Sequence, residues 1–92
     1  MHPMSSDDKM LEKLRKSVDD LDRELIEVLA QRMKFVETIR AHKKKSGSDP
    51  LDKERHDEIL HTRPNWGSNR NLSTNFVREL FERILRYTEK NE

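Results

Sequence analysis

Leu11, Leu14, Val18, Leu21, Leu25 and Val28 recur at spacings that alternate between three and four, the apolar stripe of one long helix. Arg32 takes the next seam position, after which Phe35, Val36 and Ile39 resume the stripe. Ser5, Ser6, Asp7 and Asp8 supply N-cap and first-turn acids, and no glycine or proline interrupts the pattern from Lys9 to Lys45. Ser46, Gly47, Ser48, Asp49 and Pro50 then read as a stop and a loop. A second, shorter helix is predicted over Leu51 to Thr62, ending before Pro64, with Leu51, Ile59 and Leu60 as its apolar content. Arg63 to Asn71 holds Pro64, Gly67 and three asparagines and is predicted to be a loop anchored by Trp66. Ser73 or Thr74 caps a third helix that runs to the C-terminus. Its inner face is Phe76, Val77, Leu80, Phe81, Ile84, Leu85 and Thr88. There is no strand pattern. The expectation is an all-α fold of one long, one short and one medium helix, with residues 1–8 a disordered tail and residues 9–92 a single helical domain.

Length turns this pattern into a statement about assembly. A helix from Lys9 to Lys45 is on the order of 55 Å long at 1.5 Å per residue. A compact globule of this size has a diameter of only about 32 Å, so the chain cannot cover its own first helix. A second subunit is the simplest remedy for a small core. Composition sharpens the picture: 32% of the residues are hydrophobic and 40% charged, yet the charges nearly cancel at +1 and the apolar residues are periodic. That combination fits a charge-laced helical protein rather than a disordered one. The near-neutral balance argues against general nucleic-acid binding. Without cysteine neither a disulfide framework nor a thiolate metal site can form. No apolar run approaches a membrane span and no signal-peptide core is visible, so the expected location is cytoplasmic, with no membrane or nucleic-acid partner.

The candidate chemistry starts from Arg32. A guanidinium on a buried seam costs several kcal/mol unless an anion meets it. Lys43 follows eleven residues later, about three turns on, and projects from nearly the same face. Two cations aimed at an interior suggest a site for a small anion. Arg15, Asp52, Arg55, Thr88 and Glu92 are the other polar residues on inward faces. Thr88 and Glu92, four apart, share one side of the last helix. Arg15 lies seventeen residues before Arg32, some 25 Å along the helix, and cannot serve the same site within one straight helix. In an antiparallel dimer it could approach the other chain's Arg32 and Lys43.

Leu14-Arg15-Lys16-Ser17-Val18-Asp19-Asp20-Leu21-Asp22, followed by Leu29-Ala30-Gln31-Arg32 and then Lys43, resembles the first helix of the all-α chorismate mutases. Asp52-Lys53-Glu54-Arg55 on the second helix and Phe76-Val77 through Leu80-Phe81 to Ile84-Leu85 on the third continue the resemblance, which covers about residues 10–92. It implies an intertwined homodimer with two equivalent sites, each using Arg15 of the partner chain. The implied reaction is the Claisen rearrangement of chorismate to prephenate, a step of aromatic amino acid biosynthesis that uses no cofactor, nucleophile or metal. By the same resemblance Arg15 and Arg55 each grip a carboxylate of the substrate and Arg32 joins them. Arginine suits this role because its planar fork meets a carboxylate bidentately and stays charged. Lys43 hydrogen-bonds the ether oxygen, Asp52 helps hold the substrate's hydroxyl, and Thr88 supports the third-helix side of the pocket. The catalytic set so implied is Lys43, Arg32 and Glu92, with Arg15, Asp52, Arg55, His56 and Thr88 binding substrate.

Three positions depart from the family pattern. His56 stands where many members have a glutamate for the substrate hydroxyl, and Glu89 where an apolar wall residue is usual. Glu92 stands where many members have a glutamine that donates to the ether oxygen, and a carboxyl can donate only when protonated. Taken singly, each candidate has a bland reading: Arg32 paired with a glutamate, Lys43 one of the cations favoured at a helix C-terminus, and the others solvated surface residues. His2, His42 and His61 show no ligand spacing. The joint spacing carries the functional reading. Its rivals are the related isochorismate–pyruvate lyase reaction and a non-catalytic helical dimerisation or regulatory module, with a nucleic-acid-binding coiled coil more distant.

Overall fold

The structure, a computed structural model, describes residues 6–47 and 52–90. Three helices account for nearly all of them: α1 (Ser6–Lys45), α2 (Lys53–Ser68) and α3 (Thr74–Lys90). No strand occurs among the described residues. No helix there is long and apolar enough to cross a membrane. The chain divides between Phe35 and Val36 into two units, so α1 contributes its first part to one and its last turns to the other.

The first unit is helix alone. Asp7 and Asp8 lie in the first turn, where acids complement the exposed N–H groups. Ser6 to Asp8, expected at the end of a disordered tail, are helical, with Asp7 and Asp8 favouring a helix start upstream of the apolar stripe. The stripe itself is open: Leu14, Val18, Leu21, Leu25 and Val28 are each 55–60% exposed. Leu29, Arg32 and Met33 are half-buried.

The second unit holds the core. His42, Lys43, Lys44 and Lys45 end α1, and Gly47 leaves it at φ +80°, a conformation that favours glycine. Val36, Arg40 and Lys43, at spacings of four and three, are half-buried there, while Phe35 and Ile39 are exposed. The inward face is thus rotated from the one that apolarity alone marks. Ser73 caps α3: its hydroxyl accepts from the Phe76 N–H at 3.3 Å and its carbonyl from the Val77 N–H at 3.0 Å. On α3, Val77, Leu85 and Thr88 are buried and Phe81 and Ile84 half-buried, as the periodicity predicts, but Phe76 and Leu80 are exposed. Ile59 is the core residue of α2.

The largest difference from the sequence expectation lies at the end of α2. The predicted stop at Pro64 and loop over Arg63 to Asn71 are overturned, for α2 continues through Pro64 to Ser68. An interior proline forfeits a helix hydrogen bond and costs about 3 kcal/mol. Here Pro64 and Gly67 are buried, so packing outweighs local preference. The stop is Asn71, at φ 63°, a left-handed conformation that asparagine tolerates better than most residues. Its N–H donates to the Ser68 carbonyl at 3.2 Å and the Leu72 N–H donates to the Gly67 carbonyl at 2.9 Å, the paired bonds of a Schellman end. Trp66, expected as a loop anchor, is on the helix and 57% exposed, with the Arg63 guanidinium 4.3 Å above its ring.

Gly67 is where α2 and α3 come closest. A Cβ there would stand 2.5 Å from Val77 Cγ2. Alanine for glycine in a helix normally gains roughly 1 kcal/mol, but overpacking against a buried, β-branched neighbour costs about 1–3 kcal/mol. Gly67→Ala is therefore expected to destabilise the protein by about 1 kcal/mol in urea denaturation. In a Val77→Ala background the same substitution should become stabilising, and an equal loss in both backgrounds would show that the contact is not limiting.

Candidate functional site

The polar residues of the second unit gather where the C-terminal turns of α1 and α3 meet the first turns of α2. Asp52 is the N-cap of α2. Its Oδ1 accepts from the Arg55 N–H at 3.0 Å, which satisfies a donor the helix cannot. Its Oδ2 lies 3.3 Å from Lys43 Nζ, at the end of α1. One carboxylate therefore starts one helix and tethers the ammonium of another. The cap bond from Arg55 and the Lys43 ammonium together hold the Asp52 carboxyl below its ordinary pKa of 3.8, against a smaller upward push from burial.

One turn further along α2, His56 meets α3: its Nδ1 is 2.8 Å from Glu89 Oε1, with both side chains half-buried. Thr88, beside Glu89, is buried and donates its hydroxyl to the Ile84 carbonyl at 2.8 Å. Arg40 Nη2 donates to the Thr88 carbonyl at 2.5 Å. That carbonyl lies in the last described turn of α3, where a cation is favoured. Arg55 pairs with Glu58 one turn along α2. Arg63, near Arg55, has its pKa lowered by burial and by that neighbouring charge.

Of the residues singled out in the sequence, Lys43 and Asp52 are in direct contact, and Arg55 is bonded to Asp52 through its backbone. His56 and Thr88 lie in the same unit, His56 on the α2 face toward Glu89 and Thr88 one residue from it. Arg15 and Arg32 belong to the first unit: Arg15 is exposed, while Arg32 is half-buried with its Nη1 shielded from solvent. Glu92 lies outside the described residues. Sequence reasoning missed Arg40, and the i, i+4, i+7 series Val36, Arg40, Lys43 is the signal that would have found it. Glu58, an acid three residues after Arg55, was also passed over. Glu89 was marked only as a departure, and its contact with His56 needs the packing of α3 on α2.

The arrangement offers a tethered ammonium, exposed guanidinium donors and an imidazole–carboxylate pair. It suits binding an anionic, hydroxyl-bearing small molecule. Among the described residues no group of three or more acids or histidines could hold a metal ion.

Comparison with known proteins agrees in kind. Residues 14–92 match the family described as chorismate mutase type II. A curated relative, the bifunctional chorismate mutase/prephenate dehydratase of Buchnera aphidicola subsp. Schizaphis graminum, is 32% identical over 71 residues, 77% of this chain. The chain spans 18% of that relative's length. No solved structure matches at a significant level.

Asp52 generates a prediction with a definite sign. Its folded-state pKa is depressed, so its contribution to stability is present above the ordinary value of 3.8 and is lost as pH falls through the folded value. Asp52→Asn keeps a cap acceptor and removes the charge. The variant is expected to melt below wild type at neutral pH, with the gap closing in acid as wild-type Asp52 is protonated. Asp52→Ala, which removes the cap too, should melt lower still at every pH. A gap between wild type and Asp52→Asn that stays the same as pH is taken progressively below 3.8 would refute the charge term.

Proposed function

The chain belongs to the chorismate mutase type II family, and from that premise we propose that it rearranges chorismate to prephenate. The observation that carries the reading is Lys43, half-buried and tethered by Asp52. The rearrangement is unimolecular: the ether C–O bond breaks as a C–C bond forms, and negative charge grows on the ether oxygen. A fixed ammonium beside that oxygen stabilises the transition state more than the ground state. Asp52 keeps Nζ in place without neutralising it, since the pair stays partly solvated and Nζ has further protons to donate. Arg55 and Arg32 are proposed to hold the substrate's two carboxylates together with Arg15, selecting the compact conformer in which the reacting carbons meet. Thr88 lines the α3 side.

We further propose that the working unit is a homodimer with Arg15 supplied by the partner. The support is the open stripe of α1: a run of leucines and valines each more than half exposed is a larger apolar surface than a monomer ordinarily keeps in water. Helical burial by a second α1 is the matching remedy. Stability that rises with protein concentration is the direct consequence.

Loss of chorismate and gain of prephenate by the purified protein test the activity; pyruvate release from isochorismate instead would move the reading to the lyase. Lys43→Ala and Arg32→Ala are each expected to lower kcat/KM by about 100-fold or more, the size of one lost charged transition-state donor. Sharing of sites has its own assay. Arg15→Ala and Arg32→Ala, each inactive alone, should regain roughly a quarter of wild-type activity when unfolded and refolded together, because mixed dimers carry one intact site in two. No regain would place Arg15 and Arg32 in the same chain's site.

Glu92 is proposed to donate a hydrogen bond to the ether oxygen as the neutral acid. Activity should then fall as pH rises through its pKa, and Glu92→Gln, which donates at any pH, should flatten that fall. Identical profiles for the two proteins would remove Glu92 from the site.

A further inference from the structure

His56 and Glu89 are each anomalous alone, and together they form one unit. Nδ1 of His56 is 2.8 Å from Oε1 of Glu89 across the packing of α2 on α3. Along α2, His56 comes one turn after Asp52, so the two project from the same side. Asp52 in turn holds Lys43. Lys43, Asp52, His56 and Glu89 thus form a series of polar side chains that joins the end of α1, the start of α2 and the end of α3.

The chemistry of the contact fixes the ring. An ionised carboxylate can only accept, so at Nδ1 the imidazole must be the donor. In the neutral ring that leaves Nε2 with its lone pair, free to accept. We propose that Glu89 locks His56 in the Nδ1–H tautomer, so that Nε2 accepts a hydrogen bond from the hydroxyl of the bound substrate. The dyad, with a net charge of −1, does the work of a single carboxylate. The inference rests on the mutase reading, which supplies the hydroxyl-bearing dianion. Glu89 is a positioning residue that acts through His56. A histidine there without Glu89 would be free to take either tautomer and would remove one negative charge from this end of the pocket. A protonated His56 would instead form a plain ion pair with Glu89 and turn Nε2 into a donor. Among the described residues, the ring is near Glu89 on α3 and Asp52 on α2, with Lys43 of α1 held by Asp52 and Arg40 of α1 on the Thr88 carbonyl next to Glu89.

Two measurements on the full chain separate the possibilities. Nitrogen NMR of histidine-labelled protein at about pH 8, above the ordinary histidine range, with His56 assigned by its loss in His56→Gln, reads the tautomer directly. The dyad requires a protonated Nδ1 and a bare Nε2, with a shift toward the Nε2–H form in Glu89→Leu. Kinetics then read the role. Glu89→Leu should raise KM for chorismate roughly tenfold with little change in kcat, the scale of one weakened hydrogen bond. His56→Glu alone should fare worse, because it sets two carboxylates face to face. The double variant His56→Glu/Glu89→Leu should restore KM toward wild type, which a merely structural pair would not do. A protonated Nε2 in an active wild type, or a double variant no better than Glu89→Leu, overturns the dyad alone. A wild type with the required tautomer but no turnover of chorismate overturns the mutase reading, and the role of His56 falls with it.

Discussion

The two oxygens of Asp52 are engaged on different helices, and the second unit is organised around that division. Oδ1 caps α2 by accepting from Arg55, and Oδ2 holds the ammonium of Lys43 at the end of α1. Because the capping bond sets where α2 begins, it also sets which way Arg55 and His56 project. Such a cap contributes to stability in its own right. Its larger effect is geometric: it ties a cation from one helix to the first turn of the next, where anion-binding side chains follow.

The other end of α2 is fixed by contact rather than by charge. Gly67 admits Val77 at a distance no other residue would permit, and the Schellman turn at Asn71 reverses the chain directly into the Ser73 cap of α3. That close crossing sets the register of α3 against α2. Register in turn brings Glu89 to His56 and places Thr88 inside, with its carbonyl held by Arg40. The site chemistry at one end of the helix pair therefore depends on a steric fit at the other. Side chains in close-packed interiors transmit such constraints because they have no slack to absorb them.

The first unit has the reverse character. It is a helix whose apolar stripe is largely exposed, and local preferences hold it: first-turn acids and an uninterrupted run of helix-forming residues. Such a segment gains most of its stability only when the stripe is buried. The proposed partner and the proposed source of Arg15 are thus one statement, since the surface that needs covering carries the residue that the second site would use.

The contact of Lys43 with Asp52 came from the structure, whereas the sequence by itself determined the three helices, a cap at Ser73 or Thr74 and the stop after Lys45. These follow from periodicity, capping and spacing, which act over a few residues and are written locally in the chain. It also carried the family, because several polar positions recur in order at family spacing. Tertiary structure alone decided the rest. Pro64 lies inside a helix because burial outweighs a lost hydrogen bond, and Asn71 ends the helix that Pro64 was expected to end. The inward face of α1 in the second unit runs through Val36, Arg40 and Lys43, since a long cation can bury its stem while its head reaches a carbonyl. His56 and Glu89, thirty-three positions apart, become one pair only when α3 packs on α2. Local pattern fixes what a segment prefers to be, whereas which of its side chains meet is settled by packing between segments, and no spacing along the chain encodes that.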